Sequence, residues 1–137
     1  MPVRLLLLLL MLVAAFVGAI SIASETGGEV VVVTTRDQSG REFETSLWVV
    51  DHRGSAYLRA GDKDSAWCQR LMARPAIKMV RRETLGYYRV VPEPESTGRI
   101  EELMARDYGW ADRLIGLIRD PSKSVALRLE RVNAQDY

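Results

Sequence analysis

The residues of this chain best suited to chemistry fall where a predicted strand gives way to a predicted helix: Arg59-Ala60-Gly61-Asp62-Lys63, followed by Trp67 and Arg70. Gly61 permits close backbone approach. Free amides at a helix N-terminus, together with the cations of Arg59 and Lys63, make a setting for an anion. Charge-assisted hydrogen bonds contribute about 1.5–3 kcal/mol each, so three give roughly 5–9 kcal/mol gross. Micromolar binding needs about 8 kcal/mol net. An anionic ligand held there therefore needs an apolar contact as well, and the flat indole of Trp67 or Trp48 suits a ring. Trp67 serves equally as a core residue of an amphipathic helix.

Other chemistries lack their parts. His52 is the single histidine and falls in a predicted hairpin turn, a poor place for an oriented base. Cys68 is the single cysteine, so no intrachain disulfide forms, and zinc would find too few ligands. No Gly-x-Ser-x-Gly elbow and no glycine-rich phosphate loop is present. Glu101 and Glu102 are adjacent and point to different sides of a helix. The chain carries 19 basic and 18 acidic residues, and residues 24–137 carry 18 of each. That neutrality argues against nucleic acid as a partner. From Arg59 to Arg89, however, eight basic residues face three acidic ones. Such a stretch is either a cationic face for a phosphorylated or carboxylated ligand or a solvated surface.

The elements that must position these residues begin after an N-terminal segment, 1–23. Arg4 precedes nineteen apolar or small residues, Leu5–Ala23, which as a helix span roughly 28 Å against a hydrocarbon core of about 30 Å. Ser21-Ile22-Ala23 also suits a cleaved signal. The segment is thus a transmembrane or signal helix. Arg4 before it and Glu25 and Glu29 after it place the domain, residues 24–137, on the outer face of the cell membrane, or secreted if the segment is cleaved. β-Branched enrichment and alternation predict strands over 29–36, 45–51, 55–60, 76–82, 85–91 and 125–132. A helix capped by Asp62 or Asp64 runs to Arg74 and stops at Pro75. Another runs over 95–107, and after the Gly109 break a third spans 110–118, with Leu114, Ile115 and Ile118 inward. The fold class is mainly β with flanking helices: six strands closed into a small barrel.

At these residues the chain resembles the deazaflavin-dependent nitroreductase and quinone reductase family of the flavin-binding split-barrel superfamily. The marks are Val33-Thr34-Thr35 leading to Ser39-Gly40, Thr45-Ser46-Leu47-Trp48-Val49-Val50, Tyr57-Leu58-Arg59-Ala60-Gly61, Trp67 to Pro75, Tyr87-Tyr88-Arg89-Val90-Val91-Pro92 and Leu127-Arg128-Leu129-Glu130. The resemblance implies a six-stranded split β-barrel of the FMN-binding type, often a homodimer. It implies a cofactor of the 8-hydroxy-5-deazaflavin type or FMN, and hydride transfer to a quinone or nitro compound. Some members associate with membranes. The cofactor then falls to Arg59, Ala60, Gly61, Lys63 and Trp67, with Arg41 and Arg70 as further anion contacts and Tyr87, Tyr88 and Tyr108 on the substrate side. The chain departs from the family where an Arg-Lys pair is common before Ser/Thr-Gly: it has Asp37-Gln38, with the next basic residue at Arg41. Haem, or no cofactor, stays open beside the flavins, as does a non-catalytic binding or interaction module tethered to the membrane.

Overall fold

The computed structural model describes residues 3–26, 29–116 and 120–137; side chains are described for all of these but 16–26, 114–116 and 121. The elements are α1 (Val3–Thr26), β1 (Glu29–Arg36), β2 (Glu42–His52), β3 (Ser55–Ala60), α2 (Ala66–Ala73), β4 (Ala76–Arg81), β5 (Thr84–Pro92), α3 (Thr97–Gly116) and β6 (Val125–Val132). The six strands close into an antiparallel barrel in the order β1-β2-β3-β6-β5-β4. β2 is longer than the predicted 45–51, because Arg36 pairs with Glu42 and the ladder extends to the turn.

Two-residue hairpin turns set the register. Arg53 and Gly54 both take positive φ, 50° and 78°, between the paired His52 and Ser55. This backbone matches the twist of the strands it joins. Arg82 and Glu83 do the same at 49° and 64°, between Arg81 and Thr84. These two side-chain-bearing residues adopt a conformation that glycine or asparagine takes more easily.

Alternation divides β2, β3 and β6 between two cores. Val31, Val33, Leu58, Ile77, Met79 and Leu127 are buried inside the barrel, where Cys68 and Leu71 of α2 complete the cluster. The opposite strand faces supply a second cluster: Val50, Tyr57 and Ala126 meet Ile100, Leu103, Met104 and Tyr108 of α3. α3 bends at Gly109 (φ 53°, ψ −124°), as the glycine break anticipates. Leu114, Ile115 and Ile118, expected to face inward, lie outside the described side chains.

Two expectations about helices change. α2 starts at Ala66 after Ser65, which makes no side-chain cap. Asp62 is occupied earlier, accepting the Asp64 N–H at 2.8 Å in a turn. For α1, the described side chains from Leu5 to Leu12 are all 46–71% exposed. Among the described residues no helix is long and apolar enough to cross a membrane. The far half of the apolar run and its Ser21-Ile22-Ala23 triplet lie outside the described side chains.

Candidate functional site: an arginine-lined pocket

At the strand-to-helix turn singled out by sequence, part of the backbone is already engaged. The Lys63 amide donates to the Lys123 carbonyl at 2.9 Å. The Gly61 carbonyl accepts from the Ser124 hydroxyl at 3.4 Å. Ala60 is wholly buried in the barrel interior, and Trp67 packs against the same cluster. Arg59 is engaged by carboxylates of α3. Because Leu58 and Ala60 point inward, Arg59 points outward, under α3, with only 7% of its side chain exposed. Its Nη1 lies 3.0 Å from Glu101 Oε2 and 2.8 Å from Asp112 Oδ1. Its guanidinium sits 5.8 Å from the Trp48 ring centroid. Two carboxylates already meet this charge, so it joins α3 to the barrel.

Tyr108 is likewise engaged. It is buried, and its ring stacks on Trp48 at 4.2 Å and 14°. Its hydroxyl accepts the Val49 N–H at 3.0 Å and lies within donating reach of the carbonyls of Val49, at 2.8 Å, and Glu29. The phenol thus fills the frayed end of the β1–β2 ladder. Burial pushes its pKa up to about 12. Tyr88 also packs against the barrel interior, leaving Tyr87 alone of the three on the outer face.

The cations that do converge are Arg36, Arg74 and Arg89. Arg36 closes β1, and Arg74 is the C-cap of α2. Arg89 pairs with Ala76 across β4–β5. Between them lies a pocket of about 300 Å³, lined also by Pro75, Ala76, Asp136 and Tyr137. Three arginines and one aspartate are thus among its lining residues. Arg74 Nη1 donates to the Asp37 carbonyl at 3.0 Å. The Arg36 guanidinium lies 3.8 Å from the Tyr137 ring centroid, and its Nε is buried without a hydrogen-bond partner. A buried donor left unmatched is costly, which suits a place where an acceptor binds.

Neighbouring groups hold this pocket in shape. The Tyr137 hydroxyl donates to Glu42 Oε2 at 2.9 Å, and Lys78 Nζ reaches the same oxygen at 2.6 Å. The Lys78 ammonium, then the tyrosine hydroxyl, hold the Glu42 carboxyl below its ordinary value. The Tyr87 ring stands 5.8 Å from Tyr137. Of the anticipated cations, Arg70 and Arg41 reach this end of the barrel. Arg70 Nε donates to Thr35 Oγ1 at 3.0 Å, with its guanidinium 4.2 Å from the Phe43 ring. Arg41 is exposed and lies 3.3 Å from the Asp37 carboxylate. The Ser39 hydroxyl, ahead of the Arg41 contacts, lowers the Asp37 carboxyl to about 2. Arg36, Arg74 and Arg89 were missed by motif reading. Two of them stand in the basic run, but only the β1–β4 pairing brings Arg36 beside them.

The barrel order defines the class of fold: a six-stranded antiparallel closed barrel of the split-barrel kind. No family model matches the sequence, and no curated protein matches it. Among solved structures the chain is similar to an F420 reductase, at 14% identity and TM-score 0.54 over 80% of this chain and 93% of that one. It is similar to HutZ, the heme storage protein of Vibrio cholerae, at 12% identity and TM-score 0.62, covering 83% and 87%. It is similar to a NimC/NimA family protein of Clostridium acetobutylicum, at 12% identity and TM-score 0.54, covering 81% and 76%. At these identities the likeness is one of fold.

Proposed function

We propose that this chain is a membrane-tethered split-barrel oxidoreductase that binds a flavin- or deazaflavin-type cofactor and passes hydride to a quinone or nitro compound. The observation that carries the reading is the convergence of Arg36, Arg74 and Arg89 on a split barrel, with the buried Arg36 Nε lacking an acceptor. A cofactor of this type supplies the hydride chemistry when bound, and the protein supplies binding and orientation. Here Arg36, Arg74 and Arg89 hold the anionic tail. The Tyr137 ring braces Arg36, and the Asp37 carbonyl braces Arg74, so binding needs little reordering. A volume of about 300 Å³ is at the low end for ligand pockets. The pocket would then take the tail, leaving the ring to the outer strand face, where Val80 and Leu85 are 40% and 51% exposed. A second copy of the chain closing over that face would complete the groove as a homodimer.

The tether is supported by α1. Apart from Arg4, its described side chains are apolar and exposed, which fits an apolar surrounding better than water. With Arg4 on the inner side, the domain lies outside.

The test is to titrate the full chain, in detergent, with FMN, a deazaflavin coenzyme and haem, following absorbance and fluorescence. The reduced, loaded protein is then mixed with a quinone and with a nitroaromatic acceptor. Spectral change followed by acceptor-dependent reoxidation is expected. No change with any cofactor sinks the reading. Binding without reoxidation makes the chain a tethered binding module instead.

A further inference from the structure

We infer that the barrel end where α1 meets β1 rests on phospholipid headgroups, with Trp110 and the hairpin tips at Arg53 and Arg82 as its contacts. The inference rests on reading α1 as a tether and names the surface that the tether brings to the bilayer. Reach selects the end. The apolar run stops at Ala23, and β1 begins at Glu29. Six residues extend at most about 20 Å, and α1 runs on to Thr26, which shortens that reach. β1, eight residues long, covers about 26 Å. The headgroup layer adds only about 5–8 Å to each side of the hydrocarbon. Of the two ends of β1, the Glu29 end is therefore the one held near the headgroups.

Printed contacts tie the other groups of this surface to Glu29. Arg81 Nε donates to Glu29 Oε2 at 2.8 Å, and Arg82 pairs with the same carboxylate. Arg81 also reaches Asp51 at 2.8 Å. Arg53 follows Asp51 by two residues and Arg82 follows Arg81 directly, both exposed at positive φ in the hairpin turns. The Tyr108 hydroxyl donates to the Glu29 carbonyl. Two residues on, past the Gly109 bend, Trp110 is 44% exposed. Val30, next to Glu29, is 46% exposed. α1 itself lies beside both β1 and α3.

These residues are poorly placed for water and well placed for an interface. A side-chain-bearing residue in the left-handed region costs about 1–2 kcal/mol that glycine avoids, yet both hairpins place an arginine there. A guanidinium meets phosphate oxygens through charge-assisted hydrogen bonds. An indole suits the headgroup level, where its ring is in an apolar surrounding and its N–H is wet. The other two tryptophans are taken up inside the fold: Trp48 stacks on Tyr108, and Trp67 packs against the barrel core. Charge points to the kind of lipid. Arg53, Arg81 and Arg82 stand with Glu29, Asp51 and Glu83, a mixture of signs that matches a zwitterionic headgroup layer.

The experiment reconstitutes the full chain with phosphatidylcholine vesicles, in one series carrying acyl chains brominated close to the headgroup. Flotation with the vesicles reports the tether, and quenching by the brominated lipid reports the surface. Trp110→Phe should remove about half or more of the tryptophan quenching, because the indole at the headgroup level is then gone. A fluorophore on Arg53→Cys should be quenched about threefold or more strongly than one on Lys63→Cys, since the barrel is longer than the headgroup layer is thick. Lys63 follows β3 at the end away from the Arg53 turn, and Cys68 is buried, which leaves the introduced thiol to take the label. Floating protein whose quenching is unchanged by Trp110→Phe, or is equal at positions 53 and 63, overturns the inference and leaves the tether standing. Protein that does not float removes both.

Discussion

Replacing Arg59 with methionine should destabilise the domain and leave anion binding untouched. Methionine keeps most of the apolar stem, so the change mainly removes charge. Asp112, with a side chain only 11% exposed, then loses the guanidinium 2.8 Å away. Glu101, 25% exposed on its side chain, loses a contact at 3.0 Å and can turn partly toward water. Removing one partner of a buried ion pair costs about 3–5 kcal/mol, and the exposure of Glu101 moves the expectation to the low end, about 3 kcal/mol. Loss of the contact with the Trp48 ring adds about 0.5–1 kcal/mol. Domains of this size have only about 5–15 kcal/mol in all. In urea, with a slope of about 1–3 kcal/mol per molar, the midpoint should fall by roughly 1–3 M. FMN affinity, measured where the variant is still folded, should change less than about twofold, because Arg59 lies under α3 and not at the pocket. Adding Asp112→Leu should restore much of the loss, since the orphaned charge is then gone. An unchanged urea midpoint with about tenfold weaker anion binding would refute this reasoning and return Arg59 to the ligand site.

Tyr108→Phe keeps the stack on Trp48 but leaves the Val49 amide unmatched. It should cost about 1–3 kcal/mol and speed hydrogen exchange at that amide. Gly86→Ala places a Cβ 2.7 Å from the Tyr88 ring; displacing that ring should cost about 1–3 kcal/mol in thermal unfolding. Acid should weaken the β1–β2 loop. Asp37 titrates at about 2 in the fold and near 3.9 when unfolded, so its contribution is whole above about pH 4 and is lost as pH falls through about 2. Asp37→Asn should flatten that part of the pH dependence of the urea midpoint. Deleting residues 3–26 should move the protein from the membrane fraction to the soluble one, and persistence in the membrane would discard the tether.

Strand content was legible in the residues themselves. The run Glu29–Arg36 is rich in β-branched residues, and Val125–Val132 alternates, because a side-chain period of two marks which face a strand buries. Gly54 marked one tight hairpin by turn chemistry, whereas the Arg82-Glu83 turn was placed only by the strand patterns on either side of it. Helix starts were less legible: Asp62, a suitable cap by type, bonds the Asp64 amide in a turn and α2 begins four residues later. Type alone does not say which amide a carboxylate will meet.

The site divides along the same line. Sequence by itself determined six strands, a barrel, an apolar N-terminal segment and a cationic middle, since each follows from local pattern and composition. It also contained the fact that Arg59 must point away from its inward neighbours Leu58 and Ala60. Only the tertiary structure decided what Arg59 meets there, Asp112 on a helix far along the chain, and that Tyr108 caps a strand seam. Only barrel closure brought Arg36 beside Arg74 and Arg89. A cation becomes a binding group or a structural one according to whether a carboxylate from elsewhere in the chain reaches it first, and that is settled by long-range packing.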